Sequence, residues 1–231
     1  MSRKIKWGII STAKIAETDI IPAIKKSNNS ELVAIASRNK DKARKFAKKN
    51  KVNKFYSSYK KLYEDETIDV IYNPLPNHLH VNSTINAINN NKHVLLEKPI
   101  TLKSKDVNLI KKAANKKNKI VKEAFMVRHH SQWQWVKKYV DSKKIGKING
   151  ITTLFSYKNL DPKNIRNIKK FGGGGLWDIG CYAIVISRYL MGKEPKRVVA
   201  EASFDKNFKT DNLATAILDF GGAYSNFIVS T

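Results

Sequence analysis

The feature that most constrains this chain is a repeated switch of period in its first half, where short apolar runs alternate with helical stretches. Ile5–Ser11 (IKWGIIS) is a continuous apolar run of the kind buried on both faces, and a helical stretch follows it to about Lys26. Glu31–Ser37 (ELVAIAS), Asp69–Asn73 (DVIYN), His93–Glu97 (HVLLE) and Ile120–Ala124 repeat the run. Helical patterns at Lys40–Asn50, near 58–65, at Val81–Asn90 and at Lys105–Asn118 lie between them. Strands separated by helices of ~10–15 residues imply βαβ units and a parallel sheet covered on both faces. Right-handed crossovers then give a doubly wound, Rossmann-type sheet.

The pattern changes after about residue 125. Ser131–Ser142 reads as a helix and Lys147–Tyr157 as a long half-buried strand; a polar loop covers 158–170. Gly172–Gly175 then opens a helix running to about Met191. Val198–Phe204, Ala214–Phe220 and Ala223–Val229 alternate apolar with polar residues, which predicts antiparallel strands with one open face. The expected organisation is an α/β fold: a dinucleotide-binding domain over 1–125, then an α+β substrate and oligomerisation domain over 126–231. The strand pattern is still running at Thr231, so the second sheet is expected to be incomplete.

Composition removes several classes of function. A single cysteine, Cys181, excludes a disulfide framework and suits a reducing compartment. The N-terminus MSRKIKWGIIS has too short an apolar stretch for a secretion signal, and no segment approaches the ~18 apolar residues of a membrane span. A cytoplasmic protein without a membrane partner is expected. The formal charge of +25, from 44 Lys+Arg against 19 Asp+Glu, would suit a polyanion partner. The excess is nearly all lysine, however, and it is spread over the helical faces at 42–51, 111–122 and 137–147, whereas readers of nucleic acid rely on arginine forks. Solvated helix faces explain the charge better than nucleic acid does.

After the first strand, Ser11-Thr12-Ala13-Lys14-Ile15-Ala16 stands where a G-x-G-x-x-G turn would stand. Ser11, Ala13 and Ala16 keep the small side chains that let backbone approach a pyrophosphate, and the helix N-terminus offers N–H groups and a positive dipole end. An ordinary helix start would read the same way. At the end of the second strand, Ser37-Arg38-Asn39-Lys40 carries no carboxylate for a ribose 2′-hydroxyl, whereas Arg38 and Ser37 suit a 2′-phosphate. NADP(H) is the expected cofactor and NAD(H) the alternative; an unrelated surface arginine is the plain reading of Arg38.

Three further stretches, in this order and spacing, make the chain resemble the Gfo/Idh/MocA oxidoreductase family along essentially its whole length. They are Asn73-Pro74-Leu75-Pro76-Asn77-His78-Leu79-His80, the strand ending in Glu97-Lys98-Pro99, and Gly172–Tyr182 (GGGGLWDIGCY). With Ala124–His130 (AFMVRHH), the last is most similar to the branch that contains dimeric dihydrodiol dehydrogenases and NADP-dependent D-xylose dehydrogenases. Family members usually exceed 300 residues. The resemblance implies cofactor contacts from Ser11, Thr12, Ala13, Ile15, Ser37, Arg38, Pro74, Asn77, His80, Glu97 and Lys98. It also implies hydride transfer to or from a sugar or cyclic diol.

Lys98 has a physical case of its own. It follows a buried strand and precedes a proline, which favours extended backbone and aims it at the carboxyl edge of the sheet, where ligands bind in open α/β folds. An ammonium there can hydrogen-bond a substrate hydroxyl and stabilise the alkoxide that develops as hydride leaves. The resemblance assigns proton relay to Tyr182, which on pattern alone would be a packing residue. It assigns to Asp178, four residues earlier on the same helix face, the orientation of the substrate or of Lys98. Arg128, His129 and Trp177 are expected to line the pocket, and the Gly172–Gly175 backbone to pass close to the substrate. His129 and His130 have no Cys, Asp or Glu at ligand spacing, so no metal is expected. The alternatives are a keto-sugar reductase and a cofactor-binding protein without catalysis; a homodimer is expected if the second sheet is complete.

Overall fold

The computed structural model describes residues 3–231; Met1 and Ser2, the start of the basic N-terminal segment, lie outside the described residues. The chain divides into two compact units, Met1–Ala124 and Phe125–Thr231.

The first unit alternates β1 (Ile5–Ile10), α1 (Ile21–Lys26), β2 (Ser30–Ala36), α2 (Lys40–Lys49), β3 (Lys54–Tyr56), α3 (Tyr59–Glu64), β4 (Val70–Asn73), α4 (His80–Asn89), β5 (His93–Leu96), α5 (Asp106–Lys117) and β6 (Val121–Glu123). All pairings are parallel, in the order β3-β2-β1-β4-β5-β6. The continuous apolar runs are explained by burial on both faces. Neighbouring residues of a strand point to opposite sides. Ile10 and Ile71 pack with Leu62, Ala87, Ile88 and Ile110 of α3, α4 and α5. Their neighbours Ile9 and Tyr72 pack with Ile21, Ile24 and Ala47 of α1 and α2. Each isoleucine or leucine among them contributes about 1.5–3 kcal/mol by leaving water. The sheet order reverses between β1 and β4, so the loops leaving these strands diverge and open a crevice at their carboxyl ends.

One lysine departs from the solvated-face reading of the charge. Lys92 is 4% exposed, and its Nζ donates to the carbonyls of Asp65 (2.7 Å) and Ile68 (2.8 Å), tying the turn before β4 to the start of β5. Burial lowers its pKa, against the pull of nearby carboxylates.

The second unit contains α6 (Ser131–Asp141), β7 (Gly150–Ser156), α7 (Cys181–Met191), β8 (Arg197–Phe204), β9 (Asp211–Asp219) and β10 (Tyr224–Ser230). Its sheet runs β7-β10-β9-β8; the last three strands form an antiparallel meander, and β7 joins β10 in parallel. One face is covered, with Ile179 and Ala183 against Ala214, Ala216, Leu218, Phe227 and Val229. The other is open and leaves Leu213, Ile217, Tyr224 and Ile228 exposed. No helix among the described residues is long and apolar enough to cross a membrane.

Candidate active site

At the carboxyl end of β1 the chain turns through Ser11, whose φ of 77° lies in the left-handed region that a glycine would normally fill. The conformation is held from both ends: Ser11 N donates to Ala36 O (2.8 Å) and Ser11 Oγ accepts from Ala13 N (3.2 Å). The backbone therefore follows the tight path of a dinucleotide turn without its glycines. A π-helical turn, Ala16–Ile20, comes next, an irregularity that recurs at functional sites.

Beside this turn is a cavity of about 430 Å³ lined by Ser11, Thr12, Ser37, Arg38, Asn39, Lys42 and Tyr59. Two cations and no carboxylate line it. Ser37 is buried and its Oγ accepts from Asn39 N (3.3 Å); Asn39 in turn caps α2 by accepting from Lys42 N (2.9 Å). Tyr59 lies beside Arg38 in this lining, and burial raises the pKa of its hydroxyl in spite of that cation. These donors fit the 2′-phosphate end of an NADP molecule.

Across the crevice, Asn73 ends β4 fully engaged: its Nδ2 donates to Thr84 Oγ1 (3.2 Å) and its Oδ1 accepts from Leu75 N (3.2 Å). The Glu97-Lys98-Pro99 turn, with a cis peptide before Pro99, is tied at three points. Tyr72 OH donates to Glu97 Oε1 (2.6 Å), and Ile100 N donates to Glu123 Oε1 (2.6 Å). The His80 ring supplies the third tie, with Nδ1 at 2.8 Å from Pro99 O and Nε2 at 2.7 Å from Leu75 O. Lys98 thus projects, half-buried, from a braced turn at the carboxyl edge of the sheet.

In the second unit, a π-helical turn over Leu176–Gly180 carries Asp178, and Tyr182 follows on α7. Asp178 Oδ2 accepts from Tyr157 OH (2.5 Å) and pairs with Arg166 Nε (2.8 Å). The Tyr182 ring stands edge-on to Phe125 (centroids 5.4 Å, 82°) and tilted against Phe155 (6.4 Å).

Comparison with known proteins resolves the identity of this pair of units. A model described as "Oxidoreductase family, NAD-binding Rossmann fold" (Gfo/Idh/MocA) matches residues 5–125, and the model of the Gfo/Idh/MocA C-terminal domain matches 133–231. The chain belongs to the Gfo/Idh/MocA family. Over 233 residues it is 31% identical to trans-1,2-dihydrobenzene-1,2-diol dehydrogenase of Xenopus laevis, covering 98% of this chain and 68% of that protein. Over 215 residues it is 32% identical to the NADP(+) D-xylose 1-dehydrogenase 2 of Haloferax volcanii, covering 93% and 65%. The structure resembles KijD10, a 3-ketoreductase from Actinomadura kijaniata crystallised with NADP and TDP-benzene, with a TM-score of 0.93, 28% identity, and coverage of 99% of this chain and 70% of that one. The chain therefore spans about two thirds of the length of these relatives.

As a Gfo/Idh/MocA oxidoreductase, the chain has an NAD(P)-binding Rossmann domain as its first unit. Ser11, Thr12, Ser37 and Arg38 line one cavity; Lys42 and Tyr59, absent from the sequence reading, line it with them. Ala13 and Ile15 are half-buried in the turn and Asn77 in the loop after β4. Three of the expected residues are placed as follows. His80 has no exposed surface and both its nitrogens face carbonyls, so it braces the Lys98 turn. Pro74 is likewise buried. Arg128 has its guanidinium over the Tyr189 ring of α7 (5.5 Å to the centroid).

His129 is exposed at the end of a 3₁₀ turn, and Trp177 is half-buried beside Asp178. The glycine run packs closely within its own unit. Its tight approaches are to Arg166 and Asp211 of the same unit, and Asp211 Oδ2 accepts from Leu176 N (2.6 Å). No group of three or more His, Cys, Asp or Glu among the described residues could hold a metal ion.

Proposed function

We propose that this chain is an NADP(H)-dependent dehydrogenase of a sugar or cyclic diol, in which Lys98 and Tyr182 handle the hydroxyl proton and Asp178 orients the substrate. The observation that supports this reading is the three-point brace of Glu97-Lys98-Pro99, which holds the backbone of Lys98 at the carboxyl end of β5, one strand from the switch point of the Rossmann sheet. The bound cofactor supplies the hydride acceptor or donor. Lys98 holds the substrate oxygen and stabilises the charge that grows on it, and Tyr182 relays its proton. Ser37, Arg38 and Lys42 hold the 2′-phosphate, and this selects NADP over NAD.

The test is a screen of NADP⁺ reduction across aldoses, inositols and cyclic diols, run with NADPH oxidation on keto sugars. The likeness to the 3-ketoreductase favours carbonyl reduction as the second reading, and the preferred direction in this screen separates the two. NADPH binding with no turnover on any of these substrates would overturn both. Arg38→Ala is expected to weaken NADPH binding about 10–100-fold, the scale of a lost hydrogen bond to a charged group, with little change for NADH. Equal losses for the two cofactors would remove the case for the phosphate subsite.

The open face of the second sheet is the proposed contact between two copies, because Leu154, Val199, Leu213, Ile217 and Ile228 stand exposed on neighbouring strands. Sedimentation velocity should show a dimer that Ile217→Lys converts to monomer. An unchanged sedimentation coefficient in that variant would place the contact elsewhere.

A further inference from the structure

The cluster around Asp178 contains two residues with no assigned role. Tyr157 lies one residue beyond β7, and Arg166 in a 3₁₀ turn of the polar loop, 21 and 12 positions before Asp178. Both donate to the same carboxylate oxygen, Oδ2, at 2.5 and 2.8 Å. The Asp178 side chain is 12% exposed, so this charge is largely withdrawn from water and depends on its donors. The backbone of Arg166 is held as firmly as its side chain. Gly174 N donates to Arg166 O (2.9 Å), and Gly173 lies so close to that carbonyl that no Cβ fits between them.

We infer that Arg166 and Tyr157 are positioning residues that hold Asp178 as a fixed, ionised acceptor for a substrate hydroxyl. The reading rests on the role proposed for Asp178 above and extends it. A carboxylate accepting from a guanidinium and a phenol on one oxygen keeps its charge and its orientation. Asp178 then acts as an anchor, and the mobile proton is left to the tyrosine on α7. The states of its partners agree with this. Burial raises the Tyr157 pKa and the bond to Asp178 raises it further, so Tyr157 remains a proton donor. Burial works against the Arg166 cation, but the charge of Asp178, aided by Tyr157 and Tyr182, outweighs it. Within its own unit Tyr157 after β7 and Arg166 on the loop face the Asp178 carboxylate, and Arg166 in turn feels Tyr182 on α7.

The test has a readout that does not require turnover. Carbon-13 NMR of aspartate-labelled full chain, with the Asp178 signal assigned by its loss in Asp178→Asn, gives the titration midpoint of this carboxylate directly. In Arg166→Gln the midpoint is expected to rise by about one unit or more, with Arg166→Lys in between, and Tyr157→Phe should raise it by a smaller amount. On a sugar or diol that the wild type turns over, kcat/KM should fall about 10–100-fold in Arg166→Gln and recover in part in Arg166→Lys. An unchanged midpoint in both Arg166→Lys and Tyr157→Phe, each of which keeps the shape of the site, would overturn the inference. A wild type without turnover would count against the proposed function alone, because the titration would still report whether the two donors hold the carboxylate.

Discussion

Replacing Lys98 by methionine is expected to lower turnover about 10²–10⁴-fold, the scale of a lost acid–base group, while NADPH binding stays close to wild type. Methionine keeps an unbranched side chain of similar length and removes only the ammonium. The turn itself does not depend on that ammonium, because Tyr72–Glu97, His80–Pro99 and Ile100–Glu123 hold it through other atoms. The variant should therefore fold, and NADPH fluorescence titration should give nearly the same midpoint. Lys98→Arg is the sharper control. It keeps the positive charge but cannot give up a proton in a protein. If Lys98 acts only through its charge on the developing alkoxide, arginine should rescue in part; if it also exchanges a proton, arginine should fail with methionine. Near-normal turnover in Lys98→Met would remove Lys98 from the chemistry altogether.

The sheet of the first unit was legible because its signal is local. Ile9 and Ile10, or Ile71 and Tyr72, are apolar neighbours that serve opposite faces, and a short run of such pairs between helical patterns marks a strand buried on both sides. The degenerate turn at Ser11 was legible only as a position. Its left-handed backbone is held by a tertiary hydrogen bond to Ala36, which side-chain size does not report.

What the sequence hid are roles made by distant pairs. His80 sits in a motif over the cofactor loop, and its use as a brace depends on Pro99, 19 residues away. Arg166 and Tyr157 lie in or beside a polar loop that reads as solvent-exposed, and only the fold brings them to Asp178. The pairing of β7 in parallel with β10 is of the same kind. Period 2 shows that Gly150–Ser156 is a strand, yet it carries no information on the direction of a partner some 70 residues later.

The glycine run yields the second large effect, and the effect differs position by position. Gly173→Ala would push a Cβ into the carbonyl of Arg166, a backbone group that cannot swing aside. Gly174→Ala would drive one into the Asp211 carboxylate from a φ of +122°, a conformation that side chains rarely adopt. Asp211 cannot yield freely, since it holds Leu176 N. Each change is expected to cost about 2–3 kcal/mol, the overpacking range, read as a lower urea midpoint. Gly175 is the internal control. Its φ is −63°, and an added Cβ would meet Asp211 and Thr231 at an ordinary 3.5 Å, so Gly175→Ala should remain within about 0.5 kcal/mol of wild type. Flexible filler would tolerate alanine equally at all three positions. A scaffold that fixes Arg166 on one side and Asp211 on the other predicts two steep losses and one neutral change. Gly173→Ala should also carry the Asp178 titration midpoint upward with it, because displacing the Arg166 carbonyl moves the guanidinium off the carboxylate.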